Sequence, residues 1–307
     1  TVDLREAVNF VSSEDPGTKL RQASNASYIP KKVISYPVDK DDVIRNKVVR
    51  PEDYDKIVDT IYIDLSHKDY LPKDEYVILD MIANNNWERP IYFAITIATS
   101  KFLNLQDYFQ LEGFAYRFVP IKRETPTAER INFGNVGASI MYDNLMNKFA
   151  WGNMDDPNVY IDENNARMMT NIRNNFNRLA QQLLVEGDTS RAVEVIDRGF
   201  ELVPTRIVPH EYFSLDMIET LYKAKATQKA DQLAEESIRS FEDMLAYLFT
   251  LPARLQVSGD VTDEMQKNLF YLQKLERISN AAGSTATGEK ARATMEEYYA
   301  RFMSAVQ

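Results

Sequence analysis

The sequence predicts an α+β domain, a small mixed sheet with packed helices, over residues 1–158. An all-α, tetratricopeptide-like helical repeat domain follows over residues 159–307. Three observations carry this expectation. The first half switches repeatedly between helical spacing and short β-branched or aromatic runs, the pattern of helices packed on a sheet. From Asp162 the pattern becomes continuous helix. Within that second part, Phe176, Leu179, Ala180, Leu183, Ala192, Ile196, Gly199 and Pro204 fall in the spacing of one tetratricopeptide unit.

In chain order, Asp3 to Val11 is an amphipathic helical pattern, and Ser12 to Ser27 is polar with Pro16 and Gly17, a loop. Tyr28 to Pro30 and Val33 to Val38 read as an edge strand, because Pro30 and Pro37 keep it from a sheet centre. Asp39 to Asn46 is a short helical turn. Pro51 to Val58 starts as helices do, with proline and acids in the first turn. Thr60 to Leu65 alternates as a strand. Pro72 opens a helix in which Val77, Ile78, Met81 and Ile82 fall at helical spacing. Asn84 to Asn86 stop it, since Asn tolerates the left-handed turn a helix end needs. Pro90 then begins an apolar run, Ile91 to Ile97, expected as a buried core strand. Leu105 to Phe109 is a helical turn, Leu111 to Ile121 a second apolar strand, Lys122 to Asn132 an exposed loop, and Gly137 to Phe149 a helix.

In the second half, Gly187-Asp188 makes the turn between two helices of the repeat unit. Its small residues allow close approach of the paired helices. A weaker second copy contains Met217, Ile218, Leu221 and Ala230, with Ser214 at the first large position and extra residues around Arg206 to Pro209. Further helices are expected over Ser237 to Val257, Val261 to Ala281 and Glu289 to Met303, with Gly283 to Gly288 as a linker and Tyr298, Tyr299, Phe302 and Met303 docking the last helix. An ordinary helical hairpin would share the first copy's pattern, because solenoids normally stack about three repeats.

Composition narrows the partners. The chain has 307 residues, 44% hydrophobic, enough for a real core. A net charge of -10 argues against nucleic acid or an anionic membrane surface. With no cysteine there is no disulfide, thiolate nucleophile or Cys-ligated zinc. No apolar run reaches the roughly 18 residues of a transmembrane helix. The chain begins at Thr1 with no basic and apolar leader; a processed protein and an excised soluble piece of a longer one both begin so, and the excised piece is the reading taken.

Trp87, Glu88 and Arg89, in the turn before the apolar run, form the candidate ligand-binding group: an indole face with a carboxylate and a guanidinium for a sugar or peptide. The same residues also suit a structural corner, with Trp87 buried and Glu88 paired to Arg89 or to a backbone amide. Asp156, Asn158, Tyr160 and Asp162 alternate as calcium ligands would, but lack the loop glycine and distal Glu, so Asp162 suits a helix N-cap better. His67 and His210 have no His or Cys at ligand spacing, and no Gly-x-Ser-x-Gly elbow is present. Gly134-Asn135-Val136-Gly137 lacks the lysine of a phosphate loop. Asn25-Ala26-Ser27 fits a glycosylation sequon. No metal, cofactor or catalytic residue is assigned. The many carboxylates could supply an acid/base pair, but sequence spacing cannot place two across a substrate.

Several stretches carry a family resemblance: Leu4 to Val11, Asn85 to Ala94 (Asn-Asn-Trp-Glu-Arg-Pro-Ile-Tyr-Phe-Ala), Tyr108 to Arg117, and Met141 to Met146 through Asp162 to Asn165. The chain resembles the C-terminal soluble region of large bacterial membrane proteins whose N-terminal membrane domain is similar to protein O-mannosyltransferases, the GT-C type of glycosyltransferase. The likeness covers most of residues 1–240. It implies a periplasmic domain at the inner membrane, attached to a multi-pass enzyme using a lipid-linked sugar. The enzyme's catalytic acids would sit in membrane-domain loops that are not in this chain. The expected function is therefore a non-catalytic accessory domain. Its partners would be its own membrane domain and an acceptor polypeptide or glycan. Two alternatives stand beside it: a free-standing hydrolase acting on glycans through a carboxylate pair and Trp87, and a pure scaffold.

Overall fold

A single residue, Asp3, ends the first strand and opens the first helix. In the computed structural model, which describes residues 1–20, 23–123, 133–156 and 158–306, strand β1 (Val2–Asp3) runs directly into helix α1 (Leu4–Ser12). Asp3 Oδ1 caps that helix, accepting from the amides of Arg5 at 2.8 Å and Glu6 at 3.3 Å. The chain divides into two compact units, Thr1–Gly137 and Ala138–Gln307. The first is α+β and the second all-helical, the fold class the sequence predicts.

In the first unit, the expected loop over Ser12 to Ser27 contains a small antiparallel hairpin of β2 (Lys19–Leu20) and β3 (Ala23–Ser27). The Asn25 side chain of the sequon lies outside the described residues. Strand β4 (Val33–Pro37) pairs parallel with β1 and antiparallel with β5 (Thr60–Asp64). It is the central strand of its sheet, not the expected edge. A proline removes a donor only at its own position. Pro37 is the last strand residue, and pairing with β1 involves only Ile34 and Ser35. Between β4 and β5 lie α2 (Lys40–Arg45), capped by Asp39, and a 3-10 turn over Pro51–Lys56.

Helix α3 (Lys73–Asn85) ends as expected, with Asn86 left-handed at φ 46°. Its buried stripe differs from the expected one. Glu75, Leu79, Ile82 and Ala83 face inward, while Val77 and Met81 are exposed. Glu75, 2% exposed, is neutralised by Lys68 at 2.9 Å and Lys101 at 3.4 Å, so a charged residue holds an inward position that hydropathy assigns to its apolar neighbours.

The expected core strand after Pro90 is shorter and lies at an edge. Strand β6 (Tyr92–Ala94) buries Phe93 alone and begins a four-stranded sheet ordered β6-β8-β7-β9. The run from Leu111 to Ile121 is not one strand. β7 (Phe109–Leu111) turns through Glu112–Phe114 into the antiparallel β8 (Ala115–Phe118), and β9 (Asn135–Val136) joins β7 in parallel. Phe93, Phe102, Phe109 and Tyr116 cluster with ring centroids 4.7–6.2 Å apart, giving this sheet its core. The expected loop from Lys122 to Asn132 lies, from residue 124 onward, outside the described residues.

The second unit begins with α4 (Ala138–Asp143), continued by a π turn over Asn144–Lys148. Three helical hairpins follow: α5 (Glu163–Val185) with α6 (Thr189–Leu202), α7 (Tyr212–Lys223) with α8 (Thr227–Leu248), and α10 (Gly259–Ala281) with α11 (Thr285–Val306). A short α9 (Ala253–Gln256) precedes the third. Each first helix ends in the same Schellman pattern, turned by a left-handed Gly187, Lys225 or Gly283. The expected small-residue linker is therefore only Ala282–Ser284, and Gly288 lies inside α11 against Asn280. Asp162 caps α5, accepting from the amides of Asn164 at 2.9 Å and Asn165 at 3.1 Å. Asp156 accepts from the amide and side chain of Asn158.

The extra residues between the first two hairpins fold over a buried arginine. Arg173 in α5 has no exposed surface, and its Nη2 donates to the Val203 carbonyl at 2.9 Å and to that of Val208. Its Nη1 meets Ser214 Oγ at 3.2 Å and Glu211 at 3.6 Å. Ser214, at a position where the repeat pattern wants a large residue, is fully buried because the guanidinium occupies that volume.

Candidate functional site

The turn after α3 places two consecutive non-glycine residues in the left-handed region, Asn86 at φ 46° and Trp87 at φ 59°. Asn accepts this conformation readily; for Trp it costs about 1–2 kcal/mol, so surrounding contacts must enforce it. Asn86 Oδ1 accepts from Arg5 Nη2. Asn85 Nδ2 donates to the Arg89 carbonyl at 2.7 Å, and the Glu88 amide donates to Asn85 O at 2.9 Å. Trp87 itself is 6% exposed. Its ring stacks on Phe118 at 5.4 Å and tilts against Tyr36 at 5.8 Å. Its indole N–H is buried without a hydrogen-bond partner among the described residues.

The three residues singled out from the sequence do not converge. Trp87 is wall, while Glu88 and Arg89 are exposed, and among the described residues no ion pair joins them. Arg89 borders a small void of about 10 Å³ beside Trp87 and Arg117.

Trp87 does line a larger cavity of about 470 Å³, within the range of roughly 300–1,000 Å³ typical of small-molecule sites. Its other walls come from β1, α1, β4 and the start of α2, and they carry Asp3, Arg5, Tyr36, Asp39 and Asp42. Each charged group is held from behind. Arg5 Nε donates to the Ala83 carbonyl at 2.9 Å while Nη2 grips Asn86. Asp39 Oδ1 accepts from the amides of Asp41 at 3.0 Å and Asp42 at 3.1 Å. Asp42 Oδ1 pairs with Arg45. Tyr36 is 5% exposed, and burial raises its pKa above the ordinary tyrosine value; Arg5 lowers it, and Asp42 and Asp3 raise it further. The phenol is a protonated donor at neutral pH.

Sequence reasoning reached Trp87 through its turn but not Arg5, Tyr36, Asp39 or Asp42 as companions. The helix-cap pattern at Asp3 and Asp39 is a local signal. The meeting of Asp3 and Arg5 with Tyr36 depends on β1 pairing with β4, which no local spacing encodes.

Several other polar side chains are held by partners within their own unit. Glu112, 6% exposed, accepts from Tyr92 Oη at 2.6 Å and Gln110 Nε2 at 2.8 Å. Burial, and then the hydrogen bond to Glu112, push Tyr92 up to about 12. His67 Nδ1 meets Asn104 Nδ2 at 3.2 Å. In the second unit, Ser237 Oγ donates to the Leu233 carbonyl at 2.8 Å, so the 2.9 Å contact with His210 Nδ1 is an imidazole N–H donating to the hydroxyl. Among the described residues, no group of three or more His, Cys, Asp or Glu side chains could hold a metal ion. Nor is any helix among them long and apolar enough to cross a membrane.

Residues 1–138 match the family model described as TMEM260-associated domain 2. That family is linked to TMEM260, a protein O-mannosyltransferase-like membrane protein. The match spans less than half of the 307 residues and contains every residue named on the cavity wall. Comparisons with curated proteins and with solved structures return no match.

Proposed function

We propose that this chain is a non-catalytic accessory region of a membrane-embedded glycosyltransferase of the protein O-mannosyltransferase type. On this reading it lies at the periplasmic face of a bacterial inner membrane, beside its own membrane domain. The first unit binds an acceptor polypeptide or glycan, and the helical hairpins offer a repeat-like surface to the acceptor or a partner. The observation that carries the reading is the match of residues 1–138 to a TMEM260-associated domain, on the unit that holds the cavity.

The cavity chemistry favours binding over the alternative of glycan hydrolysis. A hydrolase needs two carboxyl groups free to face each other across a glycosidic bond, about 5–10 Å apart. Asp3 and Asp39 each spend one carboxylate oxygen on a helix cap and Asp42 one on an ion pair, which fixes all three in the wall as hydrogen-bond acceptors.

The test is made on the gene that encodes this chain. The reading requires multiple hydrophobic spans upstream of Thr1. Deleting the codons for residues 1–307 while those spans are retained should abolish glycosylation of acceptors, read by mass spectrometry, with the membrane portion still inserted. Unchanged glycosylation, or a gene without such spans, overturns it.

A further inference from the structure

We propose that the cavity walled by Arg5, Tyr36 and Trp87 is a saccharide site, binding an uncharged, hydroxyl-rich glycan unit through Tyr36, Arg5 and the second carboxylate oxygens of Asp3, Asp39 and Asp42.

The hydrogen-bonding inventory of the wall leads there. Tyr36 is 5% exposed, yet its hydroxyl has no hydrogen bond among the described residues. Tyr36 lines the cavity, so its hydroxyl is satisfied by whatever fills that space, water or a ligand. It is surrounded by the cavity's charged groups, since Arg5, Asp42 and Asp3 all act on its ionisation. Arg5 uses Nε and Nη2 to anchor itself, and its Nη1 has no partner among the described residues. Asp3, Asp39 and Asp42 each spend Oδ1 on a cap or ion pair, which fixes the side chain and leaves Oδ2 without a protein partner among the described residues. These are immobilised donors and acceptors around one space, the arrangement that makes a site preorganised.

The mixture selects the ligand. An ammonium ion offers donors to the carboxylates but no acceptor for Tyr36 and Arg5. A phosphate offers acceptors alone and would meet three carboxylates. A metal ion needs its ligands to converge, and these do not. A sugar hydroxyl donates and accepts at once, so a glycan unit can satisfy both kinds of wall group, and a volume of about 470 Å³ can accommodate it. The strained Asn86–Trp87 backbone fits this use, because Asn86 is what orients Arg5. In naming glycan rather than polypeptide as the ligand class, the inference rests on the acceptor-binding reading. It fails separately, since a chain without saccharide affinity would leave the outcome of the gene deletion untouched.

The test uses the 307-residue chain, with binding followed by saturation-transfer NMR and titration. The probes are neutral gluco- and manno-disaccharides, spermidine and inorganic phosphate. The expected result is saturable binding of a neutral disaccharide in preference to the two ions. Tyr36→Phe and Asp39→Asn should each weaken it about three- to tenfold. Both variants keep the fold, because the Tyr36 hydroxyl bonds nothing in the protein and Asn caps helices about as well as Asp. Unchanged melting temperatures confirm this. Binding of spermidine or phosphate in place of disaccharides, disaccharide binding unaffected by both substitutions, or no binding of any probe overturns the proposal.

Discussion

Arg173 Nη1 donates to the carbonyl oxygen of Pro209 at 2.9 Å from a position with no exposed surface. That bond, with those to Val203 and Val208, ties the segment between two helical hairpins to the interior of α5. Burial pulls the arginine down to about 10, with Glu211 acting in the opposite direction. Arg173→Met would strip partners from three backbone carbonyls and leave Glu211 without its cation. We expect a loss of about 3–5 kcal/mol, read as a lower midpoint in urea denaturation. Lysine cannot replace the planar fork, so Arg173→Lys should lose most of the same stability.

The neighbouring His210 makes the second unit acid-sensitive. Burial first, then Arg173, lower its pKa to about 4 from an ordinary 6.5. The folded state therefore binds fewer protons than the unfolded state between those values. Its contribution is complete above about pH 6.5 and is lost as pH falls toward 4, on the order of 3 kcal/mol in total. Glu211 and Asp216, raised by burial, slope the other way, losing stability as pH rises through their folded values. The measurement is thus the difference between the parent and His210→Gln across pH 4–7. The difference should grow in favour of the variant as pH falls; a flat difference would contradict the assignment.

Two buried glycines should respond to alanine in opposite ways. At Gly199 a methyl would lie 2.9 Å from Met217 Cε and 3.1 Å from Phe176 Cβ, inside the contact between hairpins. Gly199→Ala should cost about 1–3 kcal/mol from overpacking. At Gly288 the obstacle is the exposed, rotatable amide of Asn280. Gly288→Ala should gain up to about 1 kcal/mol of helix propensity. Paired thermal denaturation separates them.

Lys225 turns the α7–α8 hairpin at φ 62°, where its counterparts in the other two hairpins are glycine. A side chain there costs about 1–2 kcal/mol. Lys225→Gly should recover about 1 kcal/mol, visible as a higher melting temperature.

Trp87 distinguishes wall from ligand contact. Trp87→Ala removes the stack on Phe118 and Tyr36 and should cost about 3–5 kcal/mol by calorimetry. Trp87→Phe keeps an aromatic ring and discards the unpartnered indole N–H, so it should cost distinctly less. Equal losses in the two variants would show that the N–H has a partner.

The local features of the chain were legible. The amphipathic period from Asp3 to Val11 marks α1, Asp162 marks the cap of α5, Asn86 marks the end of α3, and Gly187-Asp188 marks the turn of the first hairpin. Each is encoded within a few residues by a cap, a left-handed turn or a 3.6-residue period. The strands were harder. An eleven-residue run such as Leu111 to Ile121 has the same hydropathy whether it is one strand or two folded at Gly113. The inward stripe of α3 was misplaced because Glu75 is buried by lysines distant from its own turn.

Sequence alone determined that an α+β part precedes a helical part, and that a polar turn containing Trp87 ends the third helix. Tertiary structure decided that β4 lies between β1 and β5, and so that Asp3, Arg5, Tyr36, Asp39 and Trp87 surround one space. Caps and turns act over single helical turns, and a sequence displays them directly. The cavity depends on strand pairing between segments some thirty residues apart, and the matching surfaces behind that pairing exist only once the chain has folded.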